Sequence, residues 1–313
     1  MTAGIAVGTA ERGDARTLAA AYDHCLRVAR EHYENFTIGS RLLPRPLRRD
    51  LAAVYAFARG ADDIADEGPD GGRLARLAAW DAKLVACARE PAASEDPVFL
   101  ALGHTIATHA LPVETLRDLL RAFRRDAAGE TARFASFADV LDYCRCSANP
   151  VGRVVLALFG HRDAERQARS DDICTALQLT NFWQDVASDL DRGRVYIPAE
   201  DLDRFAGSRN ALARREPNEP FRRLLAFEIA RTRDLFRRGL ALAGMVGRRL
   251  AIEVRVFAGG GLAILDRIEA VGHDVFRRRP TLSRADLARI VLRAIFASPQ
   301  VRESESSLQV WEA

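Results

Sequence analysis

The stretch Tyr55-Ala-Phe-Ala-Arg59-Gly-Ala-Asp62-Asp63-Ile-Ala-Asp66-Glu67 sets the frame for the whole chain. On a helix, Asp62 and Asp66 are four residues apart and share a face. Arg59 lies three residues before Asp62, and Tyr55 seven before. A tyrosine, an arginine and two carboxylates thus line one stripe. Gly68-Pro69 ends the helix directly afterwards. Two carboxylates at a helix C-terminus oppose the macrodipole, which disfavours negative charge there. The fold gains nothing from that placement, and a bound cation would account for it.

A second stretch has the same character: Gln178-Leu-Thr-Asn181-Phe-Trp-Gln-Asp185-Val-Ala-Ser-Asp189-Leu-Asp191. Asn181, Asp185 and Asp189 step by four, and Gln178 precedes them by three. Arg192-Gly193-Arg194-Val195-Tyr196 then ends the helix and brings arginines beside the acids. Leu177, Leu179, Phe182, Trp183 and Val186 would bury the other faces. Hard oxygen ligands on two facing helices suit Mg²⁺, which takes few carboxylates and leaves positions for substrate phosphates. A single acidic pair is often only a solvated helix face. Two oxygen-rich stripes, each in an apolar context with arginine close by, point to chemistry.

A third stretch, Tyr143-Cys-Arg-Cys-Ser147-Ala-Asn149-Pro150-Val151-Gly152-Arg153, is a run of small residues with a proline in its middle. Small residues permit close helix approach and proline kinks a helix. Taken alone, a packing kink explains this stretch as well as a site does.

Beyond these stretches, apolar residues recur at three- and four-residue spacings among Ala, Leu and Arg, and alternating β-branched runs are missing. The pattern predicts helices over 16–34, 47–66, 71–90, 97–110, 113–127, 137–159, 163–190, 219–245, 247–270 and 284–297. Breakers fall between them at Pro44, Pro46, Gly68–Gly72, Pro91, Pro112 and Gly160, and the longest irregular stretch is 196–220. The expectation is one all-α domain over 16–298, with a flexible tail over 1–15 and a polar tail over 299–313.

Composition excludes several classes. With 46 basic and 43 acidic residues, the net charge of +3 argues against a dedicated nucleic-acid binder. No run of 18 apolar residues could span a membrane, and residues 1–15 lack a signal-peptide pattern. Five scattered cysteines without a CxxC read as core residues in a reducing cytoplasm. The six histidines form neither HExxH nor another ligand cluster. No GxGxxG follows a strand, so no nicotinamide fold is expected, and no nucleophile–base pair is evident.

With both acidic stripes on an all-α chain of this length, the sequence resembles the squalene/phytoene synthase family, over about residues 30–295. Asp62–Asp66 and Asp185–Asp189 match its two DxxxD motifs, and Tyr143–Gly152 matches its YCxxVAgxVG stretch. Within the family the likeness is nearest to the hydroxysqualene synthase branch of hopanoid biosynthesis. Glu34-Asn35-Phe36, Ser40-Arg41-Leu-Leu-Pro44, Ala56–Gly68 and Ser147–Arg153 carry that likeness.

The resemblance implies a class I isoprenoid synthase bundle around a central cavity. It implies two or three Mg²⁺ ions held by Asp62, Asp66, Asn181, Asp185 and Asp189, binding the diphosphate of presqualene diphosphate. Tyr55, Arg59, Gln178, Arg194 and Arg278 would donate to that group, and Tyr143 would join the catalytic set. Ionisation, rearrangement past rings such as Phe36, Phe57 and Phe182, and water capture would give hydroxysqualene without a nicotinamide.

Condensing relatives carry Ser-Lys/Arg-Ser-Phe where this chain has Tyr33-Glu34-Asn35-Phe36. An acid there would repel a second diphosphate, so Glu34 and Asn35 are expected to face the cation instead. The alternatives are a condensing synthase making presqualene diphosphate, squalene or phytoene, and a non-catalytic helical binding protein on the same fold. A metal-dependent hydrolase is a third, for which no base is evident. The expected setting is cytoplasmic, with transient contact between an apolar rim and the inner membrane and with other squalene-pathway enzymes as partners.

Overall fold

The computed structural model describes residues 3–31, 44–66 and 72–296, with side chains from Thr17 onward. Glu34, Asn35 and Phe36 lie outside the described residues, as does the chain after residue 296. The helices are α1 (Ala3–Glu31), α2 (Arg45–Asp66), α3 (Arg73–Arg89), α4 (Pro97–His109), α5 (Val113–Ala127), α6 (Phe137–Ser147) and α7 (Asn149–Leu158). They continue with α8 (Ala164–Gln184), α9 (Val186–Asp191), α10 (Ala199–Arg204), α11 (Ser208–Arg214), α12 (Glu219–Gly239), α13 (Arg248–Ala270) and α14 (Arg284–Phe296). Short 3₁₀ turns occupy Pro91–Ala93 and Leu240–Gly244. Among the described residues there is no strand, only one parallel bridge between Arg133 and Val195.

Three apolar clusters fill the bundle, two of them large and a small one around Leu156, Leu242 and Leu250. The N-terminal one joins α1 to α5 with α7 around Phe57, Leu77, Leu84, Phe99 and Leu116. The C-terminal one surrounds α8 with Trp183, Leu179, Phe221, Phe236 and Leu265. α8 is the central helix, packed by α7, α12 and α13. Two glycines let its neighbours close on it. A Cβ on Gly239 would sit 2.6 Å from Ile173 Cγ1 and 2.9 Å from its backbone nitrogen. A Cβ on Gly152 would sit 2.6 Å from Cys174 Sγ and closer still to Ser170 Oγ.

The expected helices are present, with four differences. The single helix predicted over 137–159 is two, broken at Ala148 (φ −120°). Pro150 lies in the first turn of α7, where a missing N–H costs nothing. The helix predicted over 163–190 is interrupted at Asp185 (φ −104°, ψ 13°). The supposedly irregular 196–220 stretch holds α10 and α11, started by Pro198 and by Gly207 at φ 97°. α1 begins at Ala3, where the pattern predicts a start at 16, and no proline precedes Pro44.

Candidate active site

α2 is described as far as Asp66, which places Asp62 and Asp66 in its last described turn. Arg59 donates to Asp62 at 3.1 Å and pairs with Asp63 at 2.6 Å. Burial first, and then Asp66, push the Asp62 carboxyl up to about 6. Tyr55 is partly buried on the N-terminal cluster.

The second stripe survives the break at Asp185, because the helical bonds run on across it. The Asp185 N–H donates to Asn181 O and the Asp189 N–H to Asp185 O, both at 2.9 Å. Asn181 is exposed and Gln178 half-buried. Burial, and then Asp185, push the Asp189 carboxyl up to about 6. Each stripe therefore holds a carboxylate whose charge is disfavoured, which is the situation a cation relieves.

The link between the stripes is Arg194. Its guanidinium lies 3.7 Å from Asp66, on the other side of the site from its own helix. The backbone explains its position. Val195 N–H donates to Ala132 O at 2.9 Å and Ala199 N–H to Phe134 O at 3.0 Å, which pins the segment after α9 beside the one after α5. Gly193 makes the turn into it at φ 73°.

The same pairing stacks the aromatic wall. Phe182 and Tyr196 are parallel at 3.8 Å between centroids, with Phe134 and Tyr143 against Tyr196 at 5.8 and 6.2 Å. A narrow crevice opens between this wall, Asp189 and Arg194. The Tyr143 hydroxyl donates to both oxygens of Asp126, at 3.0 and 3.1 Å, and Thr131 donates to the same group at 2.6 Å. Burial and the Asp126 charge push the Tyr143 phenol up. Burial also raises Asp126, which faces Arg194 and Asp66.

Asp126 was not singled out from sequence. In Phe123-Arg-Arg-Asp126-Ala it looks like a charged turn of a surface helix, and only the Tyr143 contact reveals it. Arg279 was missed as well. It grips Asp185 through Nε and, at 3.0 Å, through Nη2, and it also reaches Gln184 at 3.2 Å. Its neighbour Arg278, one of the five expected diphosphate donors, is exposed with no ion pair among the described residues. Phe57 needs correction: it is 0% exposed, enclosed by Trp80 and Phe99, and presents no ring face to a ligand. Phe182 stays at the site, and Phe36 lies outside the described residues.

The donors fit Mg²⁺ in chemistry, being all oxygen. Among the described residues no three Asp, Glu, His or Cys side chains converge on one point. Each ion would therefore take a pair of carboxylates and complete its shell with water and substrate oxygens.

The squalene/phytoene synthase model matches residues 29–286, which span both stripes and the aromatic wall. The chain belongs to the squalene/phytoene synthase family. Family relatives include a 15-cis-phytoene synthase of Synechococcus elongatus, 30% identical over 84% of this chain and 88% of that protein. A hydroxysqualene synthase of Zymomonas mobilis is 32% identical over 71% of this chain and 74% of that protein. The crystal structure of the squalene synthase HpnC from Alicyclobacillus acidocaldarius is 41% identical, with a TM-score of 0.78 over 82% of this chain and 95% of that one. The fold is the all-α isoprenoid synthase fold, and the family is one of head-to-head prenyl synthases. No described helix is long and apolar enough to cross a membrane.

Proposed function

We propose that the protein is a hydroxysqualene synthase, ionising presqualene diphosphate and capturing the rearranged cation with water. The observation that carries this reading is the meeting of two acidic helix ends across Arg194, beside a stacked aromatic wall. Support for the squalene side is the 41% identity to the squalene synthase HpnC, and the hydroxysqualene synthase of Zymomonas mobilis, at 32%, stands level with phytoene synthases at 30–32%. Those phytoene synthases favour the second reading, condensation of two prenyl diphosphates.

Asp62 and Asp66 on one side, and Asn181, Asp185 and Asp189 on the other, would hold Mg²⁺. When bound, the metal supplies Lewis-acid neutralisation of the diphosphate. Arg59, beside Asp62, and Arg194, beside Asp66, would stabilise the departing oxygens. Arg279, released from Asp185, adds a bidentate donor. Tyr55 and Gln178 are proposed as further donors. The carbon–oxygen bond breaks and its electron pair leaves on diphosphate. The cyclopropylcarbinyl cation opens to an allylic cation beside the π-faces of Phe182 and Tyr196. Water adds to that cation and gives its extra proton to diphosphate or solvent. Tyr143 acts as a positioning residue that holds Asp126 toward Arg194.

The test is product analysis after incubation with Mg²⁺ and no nicotinamide, using presqualene, farnesyl or geranylgeranyl diphosphate. Hydroxysqualene from the first, with no presqualene diphosphate or phytoene from the others, supports the proposal. Phytoene or presqualene diphosphate formation would establish the condensing reading instead.

A further inference from the structure

Arg231 of α12 touches both of the segments that build the site. Its Nη2 donates to Asp201 Oδ2 at 2.8 Å, and Asp201 lies in α10, just after Arg194 and Tyr196. Its guanidinium also lies 3.4 Å from the ring centroid of Phe137, the first residue of α6, just after Phe134. These are the two segments that the Val195–Ala132 and Ala199–Phe134 bonds pair. Glu200 closes the same joint, accepting from the Phe137 N–H at 2.6 Å.

Charge does not balance at this joint. Glu228, one turn before Arg231, is 0% exposed, and its Oε2 lies 2.5 Å from the same Nη2. Neither Glu228 oxygen has an aligned hydrogen-bond donor, and Arg231 Nε is buried without a partner. Asp201 is buried as well. One guanidinium therefore faces two sealed carboxyl groups, and ionising both would strand a negative charge away from water. The charged groups that face Glu228 are Asp201 of α10 and Arg231 of its own helix. The other neighbours are uncharged: α6 presents Phe137, and α8 presents Trp183, whose indole donates to Thr232 at 2.9 Å. Arg204 of α10 lies over the Phe227 ring at 4.6 Å.

We infer that Arg231 is a positioning residue that holds the two site-forming segments together, and that a proton shared between Glu228 and Asp201 keeps it in place. With that proton the two carboxyl groups carry one negative charge, which one guanidinium neutralises. Burial, against the pull of Arg231, pushes the Glu228 carboxyl up to about 8, and Asp201 adds to the rise. Removing the proton leaves two carboxylates repelling across one arginine, and α10 is released together with residues 194–198. Arg194 and Tyr196 then lose the backing that sets them against Asp66 and Phe182. The joint stands on its own geometry. Only its consequence for diphosphate release rests on the proposed function.

The experiment is native-state hydrogen exchange on the full-length protein, without substrate, at pH 7 and pH 9, corrected for intrinsic exchange rates. A group held at about 8 in the closed joint, against an ordinary 4.5 when it opens, makes opening more frequent as pH rises. The amides of 195–204 should therefore lose roughly tenfold in protection between the two pH values. Glu228→Gln keeps the shape and cannot ionise; it should abolish that loss and be at least as protected as the wild type at pH 7. Glu253→Gln, which removes a buried carboxyl elsewhere, should leave the loss in place. Arg231→Met should lower protection in both 132–137 and 195–204 at either pH. Thermal melts confirm that each variant is folded. No loss in the wild type, the same loss in folded Glu228→Gln, or unchanged protection in folded Arg231→Met would each overturn the inference. Exchange is read without turnover, so its failure leaves the enzymatic reading standing, and the reverse.

Discussion

Asp62→Asn separates a ligand-holding role from a structural one, because the two predict opposite changes in stability. In the folded chain Asp62 is pushed from 3.8 up to about 6 by burial and by Asp66. Holding that carboxylate ionised at pH 7.5 would cost the fold about 3 kcal/mol if solvent were fully excluded. The side chain is 38% exposed, so screening reduces this to about 1 kcal/mol. The favourable Arg59 pair is already contained in that balance, and Arg59 keeps Asp63 at 2.6 Å after the substitution. Asparagine should therefore stabilise the metal-free protein, raising its Tm by about 2 °C at pH 7.5. At pH 5, between the unfolded value of 3.8 and the folded value of about 6, the gain should fall to roughly half, and it should vanish only below about pH 4. Diphosphate release should fall at least roughly a hundredfold through loss of a charged metal ligand. The assay is thermal denaturation in EDTA at both pH values, with turnover in Mg²⁺ measured separately. A variant less stable than wild type at pH 7.5, or equally stabilised at both pH values, would refute the electrostatic reasoning.

Other expectations follow from the same geometry. Stability of the metal-free protein should fall as pH rises from about 4 to 8. Asp62 and Asp189 at about 6, Glu253 at about 7 and Glu228 at about 8 are all raised by burial, so the folded chain holds more protons than the unfolded one in that window. Mg²⁺ should flatten the part below pH 7 and leave the rest, as melting curves across pH would show. Tyr143→Phe should cost about 2 kcal/mol in denaturant unfolding, since it removes a buried donor to the Asp126 carboxyl, and should slow turnover as well. Gly239→Ala should cost about 1–3 kcal/mol, because Ile173 backbone cannot retreat from the new methyl group, with turnover per folded molecule retained.

The fold was legible because α helices impose a spacing that apolar residues must follow, and most predicted helices end within a few residues of the observed ones. The acidic stripes were legible for the same reason: a step of four survives even the interruption at Asp185, where the backbone bonds persist. What periodicity cannot convey is contact between distant segments. Arg194 was flagged by its nearness to Asp189 in sequence, yet the carboxylate it meets is Asp66. Asp126 and Arg279 sit in arginine-rich runs whose neighbours hide them, and both are identified only by partners 17 and 94 residues away. Phe57 fails in the other direction. Its place two residues from Arg59 suggests the site, but two residues on a helix point to different faces, and it is buried against Trp80. The break at Ala148 carries a local signal in Pro150, whereas the one at Asp185 has none.

The central claim is that water, and neither hydride nor a second prenyl chain, ends the reaction of presqualene diphosphate on this protein. Single-turnover incubation with presqualene diphosphate and Mg²⁺ in ¹⁸O-enriched water, followed by mass spectrometry of the organic extract, tests it directly. The account predicts a C30 alcohol carrying one solvent-derived oxygen, formed without nicotinamide and abolished by Asp62→Asn. A hydrocarbon product, an alcohol lacking the label, or unreacted presqualene diphosphate beside efficient condensation of farnesyl or geranylgeranyl diphosphate would contradict it.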